Sequence, residues 1–289
     1  MNYNAKNKLP IQEFDLSNLR TQSEPGKGMS IVIIAPTGSG KSWVVRAILN
    51  EIKDYPVGII ISRTEHIDRF YSDFCPETYI YDNYTPSIIK KVFRRQAIVL
   101  AKAKKYKERG KELDTRCFIV MDDCFADSKS WTKDTEIKTL LYEGRHYNIT
   151  YILTMQYPLG IAPDLRSQFK YIFVLANDKF NDQKKIYDHY AGIFPSFFAF
   201  REIYMQLTED HGCLVVKTGN SKTPLEKIFH YKAPDLSSSH FIVGGKQYKK
   251  YHKVNYKKDW DTVQEKFDVV DFCNEHKRSK EHIKIHYEK

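Results

Sequence analysis

The chain has 289 residues, 42% of them hydrophobic and 28% charged, which is enough apolar side chain for a sizeable core and excludes wholesale disorder, collagen-like repeats and coiled coil. Lys and Arg outnumber Asp and Glu by 46 to 36, and the net charge of +10 favours a polyanionic partner without identifying one. No apolar run approaches the ~20 residues of a membrane span and the N-terminus is polar, so the expectation is a soluble protein that is not secreted by the standard route. The 5 cysteines include no CxxC pair and read as reduced thiols in an intracellular setting.

Residues 1–28 have little periodicity, end in the turn-rich SEPGKG, and read as an N-terminal arm. From Met29 short apolar runs alternate with longer amphipathic stretches. The runs predict strands at 29–35, 57–62, 78–82, 117–123, 149–156, 171–176 and 213–218. Their Ile- and Val-rich composition suits strands covered on both faces. Helices are predicted between them, at 41–53, 86–108, 134–144, 180–190 and 196–206, an alternation that implies an α/β fold with a largely parallel sheet. Phe194, Phe197, Phe198 and Phe200 read as residues that pack a helix rather than stack bases. This domain spans 29–236, and a basic C-terminal tail of 237–289 follows, opening with the linker-like SSSH. Within the tail GGKQYKKYHKVNYKK interleaves lysines with tyrosines, and Trp260, Val263, Phe267 and Val270 recur at the spacing of a short amphipathic helix.

After the first strand comes APTGSGKS, the residues Ala35, Pro36, Thr37, Gly38, Ser39, Gly40, Lys41 and Ser42, followed at once by a helix. This is the pattern of a phosphate loop. Gly38 and Gly40 let the backbone curl until successive amides point at phosphates, and the helix adds unpaired N–H groups and the positive end of its dipole. Lys41 is expected to reach the β- and γ-phosphates of ATP, and Ser42 to ligate Mg²⁺. Pro36 has no N–H, so the cradle must come from residues 38 to 42.

CFIVMDDC ends a strand in two aspartates. Mg²⁺ takes few carboxylates alongside water and phosphate oxygens, so Asp122 is the expected metal partner of Ser42, and Asp123 stands where a hydrolase needs a base or a water-positioning group. Gln156 ends the next strand. In a parallel sheet all these ends share one edge, which brings Gln156 toward Lys41 and Asp123.

The order of these parts resembles the FtsK–HerA superfamily of ring-forming DNA-pumping ATPases, and most of all the genome-packaging ATPases of nucleocytoplasmic large DNA viruses and virophages. APTGSGKS, FIVMDDC and EGRHYNITYILTMQYPLGIAPDLRSQFKYIFVL carry the resemblance, which covers about residues 29–218. Asp123 stands where many members have Glu, and Ala35 where Gly is usual. The resemblance implies a RecA-like P-loop NTPase core with flanking helices, a homo-oligomeric ring, ATP hydrolysis coupled to sequence-independent movement of double-stranded DNA, and a capsid or portal-type partner.

Two arginines are candidates to complete the site. Arg145 precedes the strand that ends at Gln156, roughly 20 Å from its own γ-phosphate at ~3.3 Å per residue. It is therefore expected to act on a neighbour's nucleotide, and the resemblance points the same way; the alternative is a structural arginine at the sheet's lower edge. Arg166, beyond the strand on the active edge, is the second choice. Eleven Lys and Arg between 90 and 116 form a stripe that either tracks DNA phosphates or is a solvated face. Cys273, His276, His282 and His286 superficially resemble a zinc set, but the short gap between the pairs reads better as surface side chains. A P-loop kinase and a nucleotide-switched capsid-assembly protein that does not pump DNA are the alternative functions.

Overall fold

In the computed structural model, the structure describes residues 10–20, 27–124, 134–219 and 223–257. Among these residues nine strands form one sheet: β1 (Gln12–Glu13), β2 (Ser30–Ile34), β3 (Val57–Ser62), β4 (Ile80–Tyr81), β5 (Cys117–Asp122), β6 (Ile149–Met155), β7 (Tyr171–Leu175), β8 (Gly212–Lys217) and β9 (Ile228–Lys232). Their order is β1-β9-β8-β7-β2-β6-β5-β3-β4. From β7 to β4 every pairing is parallel, and β8 is antiparallel to both β7 and β9.

Among the described residues the α-helices are α1 (Lys41–Glu51), α2 (Glu65–Asp68), α3 (Pro86–Lys107), α4 (Thr135–Glu143), α5 (Pro163–Arg166), α6 (Phe180–Tyr190), α7 (Phe197–Leu207) and α8 (Lys246–Asn255). Their starts follow local chemistry. Asp134 caps α4 by accepting from the amides of Glu136 and Ile137, Ser196 caps α7 by accepting from Ala199, and Pro86 opens α3, where no intrahelical N–H is needed.

Because side chains alternate along a strand, each central strand feeds two cores. Val32 and Ile34 join Ile119, Met121 and Leu153 under α3, α4, α6 and α7. Ile31 and Ile33 join Val120 and Phe173 under α1, where Phe14 and Leu19 from the N-terminal segment also bury. Phe194 and Phe200 are buried in the first core and Phe197 is half-buried, as their packing role requires, whereas Phe198 is 73% exposed and does not pack with them.

Residues 241–257 pack on the second face. Phe241 and Val243 are buried, Tyr248 stacks on Tyr79 with centroids 3.7 Å apart, and the Tyr248 hydroxyl donates to the Gly58 carbonyl at 2.9 Å. A Cβ on Gly58 would lie 2.2 Å from the Phe118 ring, so the bare backbone there is required by close packing. Of the tyrosines interleaved with lysines, Tyr248 is thus a core residue, while Tyr251 is 56% exposed. The expected helix around Trp260 and the Cys273–His286 group lie outside the described residues. Among the described residues, no helix is long and apolar enough to cross a membrane.

Candidate active site at the phosphate loop

Strands β2, β5 and β6 end within about one residue of one another, since Ile34 pairs with Met155 and Met121 with Leu153. The loop leaving β2 is tied to this edge by the Ala35 amide, which donates to the Met155 carbonyl at 2.9 Å. Ser39 Oγ closes the loop by donating to the Pro36 carbonyl at 2.7 Å. Gly38 and Gly40 both adopt positive φ, 78° and 96°, and a Cβ at Gly38 would meet nothing within 4 Å, so the crest of the loop is open. Gly40 caps α1. The first helical amides to bond back are those of Trp43 and Val44, both to the Gly40 carbonyl, and amides ahead of these in a helix have no intrahelical partner. This arrangement fits a polyphosphate.

Lys41, buried on the first turn of α1, is ion-paired with Asp123 Oδ2. Gln156 links the two sides of the cleft: its Nε2 donates to Asp123 Oδ2 at 2.9 Å, and its Oε1 accepts from Thr37 Oγ1 at 3.1 Å. Asp123 has a φ of 47°, left-handed for a residue other than glycine, and its amide donates to Thr154 Oγ1 at 3.0 Å. Lys41, Asp123, Gln156 and Thr37 therefore form one connected cluster, and Ser42 is half-buried beside it on α1.

Asp122 is 5% exposed and sits beneath this cluster. Thr154 Oγ1 donates to its Oδ1 at 2.5 Å and the Tyr71 hydroxyl to its Oδ2 at 2.8 Å. Burial pushes the carboxyl pKa up; the Thr154 hydrogen bond, the Lys41 charge and the Tyr71 hydrogen bond pull it back. A carboxylate offers about four acceptor positions, so two remain after these bonds, which suits a hard cation. Tyr71 is itself held by Glu65, whose carboxylate accepts from the amides of Tyr71 (2.9 Å) and Ser72 (2.8 Å).

In the sequence Thr154 figures only as part of the Thr-x-Gln strand end, and Tyr71 has no role at all. Thr154 had a signal, a polar side chain inside an apolar strand two residues before Gln156, whereas Tyr71 comes from a loop after α2 with none. Of the arginines, Arg145 is exposed at the opposite end of β6, where its Nε donates to His146 Nε2 at 3.3 Å. Arg166 is buried, donates to the Ile161 carbonyl at 2.9 Å and lies over the Tyr190 ring at 5.9 Å. Neither joins the cluster around Lys41 within this chain.

No protein-family model matches the chain. Protein L437 of Acanthamoeba polyphaga mimivirus is 39% identical over 261 residues, 90% of this chain and 88% of that protein. Protein 075L of Invertebrate iridescent virus 6 is 30% identical over 79% of this chain and 86% of its own length, and protein 015R of Frog virus 3 is 30% identical over 84% and 74%. Among solved structures, the genome packaging NTPase B204 of Sulfolobus turreted icosahedral virus 2, in complex with sulfate, covers 72% of this chain and 98% of its own with a TM-score of 0.50 and 16% identity, a likeness of fold. The chain belongs to the family that these mimivirus and iridescent-virus proteins form, and it has a P-loop NTPase fold.

Proposed function

We propose that the protein is an ATP-hydrolysing motor that moves double-stranded viral DNA into capsids, working as a homo-oligomeric ring at a capsid or portal-type partner in the host cytoplasm, the viral factory or the virion. The observation that carries the hydrolytic part is the connected cluster of Lys41, Asp123, Gln156 and Thr37 at the mouth of the phosphate loop. Support for the DNA part comes from the resemblance to packaging ATPases, the genome-packaging role named for B204, and the charge of +10.

Bound Mg²⁺–ATP would supply an electrophilic γ-phosphoryl group. Amides of residues 38 to 42 cradle its phosphates, and Lys41 turns its ammonium toward them, sharing or leaving Asp123. Ser42 and Asp122 would hold Mg²⁺, with Tyr71 and Thr154 fixing the Asp122 carboxylate. Asp123 takes the proton of the attacking water, or orients that water, and Gln156 steadies it through its amide. Arg145 reaches a neighbour's nucleotide from the opposite sheet edge and stabilises charge in the transition state. Arg166 is the lesser candidate because its guanidinium is engaged at Ile161 and Tyr190.

The test is ATP turnover by the full chain with and without linear duplex DNA. A motor hydrolyses ATP without an added small-molecule acceptor and faster when DNA is present. A kinase needs an acceptor, and an assembly switch is indifferent to DNA.

A further inference from the structure

On the other flank of the phosphate loop, away from Asp123 and Gln156, two consecutive residues other than glycine hold left-handed backbone: Asp210 at φ 49° and His211 at φ 61°. Strain of this kind persists only where the surroundings enforce it. Here Lys232 is ion-paired with Asp210, Thr208 Oγ1 donates to the Tyr204 carbonyl at 2.8 Å, and Gly212 is so crowded that a Cβ would lie 2.3 Å from the Leu207 carbonyl oxygen. The turn carries the exposed His211 ring against the loop. Its Nδ1 is 3.5 Å from the Ser39 carbonyl oxygen, and the ring lies 3.6 Å from the place a Cβ would take on Gly40.

Topology gives this contact a direction. His211 opens from β8 and Asp123 from β5, and the sheet order β8-β7-β2-β6-β5 sets their strands four places apart. A triphosphate whose γ end meets Asp123 and Gln156 must run toward β7 and β8, so the nucleoside emerges on the His211 side. The imidazole chemistry agrees. A carbonyl oxygen only accepts, so facing Ser39 Nδ1 is the donor nitrogen, and in neutral imidazole Nε2 is then an acceptor. In that form its complement is a ribose hydroxyl or a base amine.

We infer that His211 positions the nucleoside half of a bound nucleotide and makes the site select nucleoside triphosphates over bare polyphosphate. The inference rests on the phosphate-loop reading above. Its test is calorimetric titration of the full chain with Mg²⁺–ATP and, separately, with Mg²⁺–tripolyphosphate, for the unaltered protein, His211→Ala, and His211→Asn, which tolerates the left-handed backbone. Both substitutions are expected to weaken ATP binding roughly five- to tenfold, the loss of about one hydrogen bond, and to leave tripolyphosphate unchanged. Retained tripolyphosphate binding is also the control for folding. Equal losses for both ligands, or ATP affinity unchanged in either variant, would overturn the inference while sparing the phosphate loop. If the unaltered chain bound neither ligand, the phosphate-loop reading would fall and this inference with it.

Discussion

Asp123 owes its position to backbone that its side chain does not prefer. At φ 47° the backbone turns at the end of β5, and the Thr154 hydroxyl accepts the turned amide. That turn brings the carboxylate to Lys41 and Gln156, whereas its neighbour Asp122 stays buried between Thr154 and Tyr71. Two adjacent aspartates thus occupy different environments and, on the proposed mechanism, do different work. Asp123→Asn keeps a residue that tolerates left-handed backbone. It is expected to bind ATP as the unaltered chain does and to lose ~10²–10⁴-fold in hydrolysis, the usual contribution of a general base. Lys41→Ala is expected to lose binding itself. Nucleotide titration and steady-state phosphate release check the pair, and an Asp123→Asn protein with undiminished turnover would remove the base assignment.

The elements lay a basic cluster along the sheet edge opposite the phosphate loop. Lys170, half-buried just before β7, has its pKa lowered by burial, then by Lys217 and Arg145. The folded protein therefore binds this proton less tightly than the unfolded chain. The resulting cost in stability is fully present below the lowered pKa and is relieved as pH rises through it toward 10.5. Lys170→Gln should raise the thermal unfolding midpoint at neutral pH, with the gain shrinking as pH approaches 10; a variant no more stable at neutral pH would contradict the cluster. The sequence makes the central strands of this sheet legible because β2, β5, β6 and β7 are continuous apolar runs buried on both faces. It leaves β9 obscure because IFHYK mixes polar residues into a half-exposed strand, and β1 because it has two residues. α8 is hidden for a related reason: Tyr248 is its one buried residue, so its packing is invisible among lysines. In the site, Asp122, Asp123 and Gln156 are legible because parallel strands end on a common edge. Tyr71 and His211 arrive from loops that only the tertiary fold brings to that edge.

At the scale of the whole molecule, Arg145 makes the strongest demand. It lies at the N-terminal end of β6 and Gln156 at the other, so within one chain the two ends of a seven-residue strand keep it from the phosphate loop. Mixing Arg145→Ala with Asp123→Asn, each inactive alone, is expected to restore part of the ATPase activity, because mixed rings contain interfaces with both groups intact. Mixed rings that form and stay inactive would shift the role to Arg166. The charged surface belongs to this scale too. Lys102, Lys104 and Lys105 are exposed near the end of α3. If they neutralise DNA phosphates, replacing them with alanine reduces the slope of log affinity against log salt by ~0.9 for each phosphate left without its lysine. The most direct measurement for the account as a whole is displacement of a triplex-forming strand from linear duplex DNA by the full chain. The account predicts displacement that requires ATP, is indifferent to the duplex sequence, and is lost in Asp123→Asn. ATP hydrolysis at full rate on DNA with the third strand left in place would contradict it.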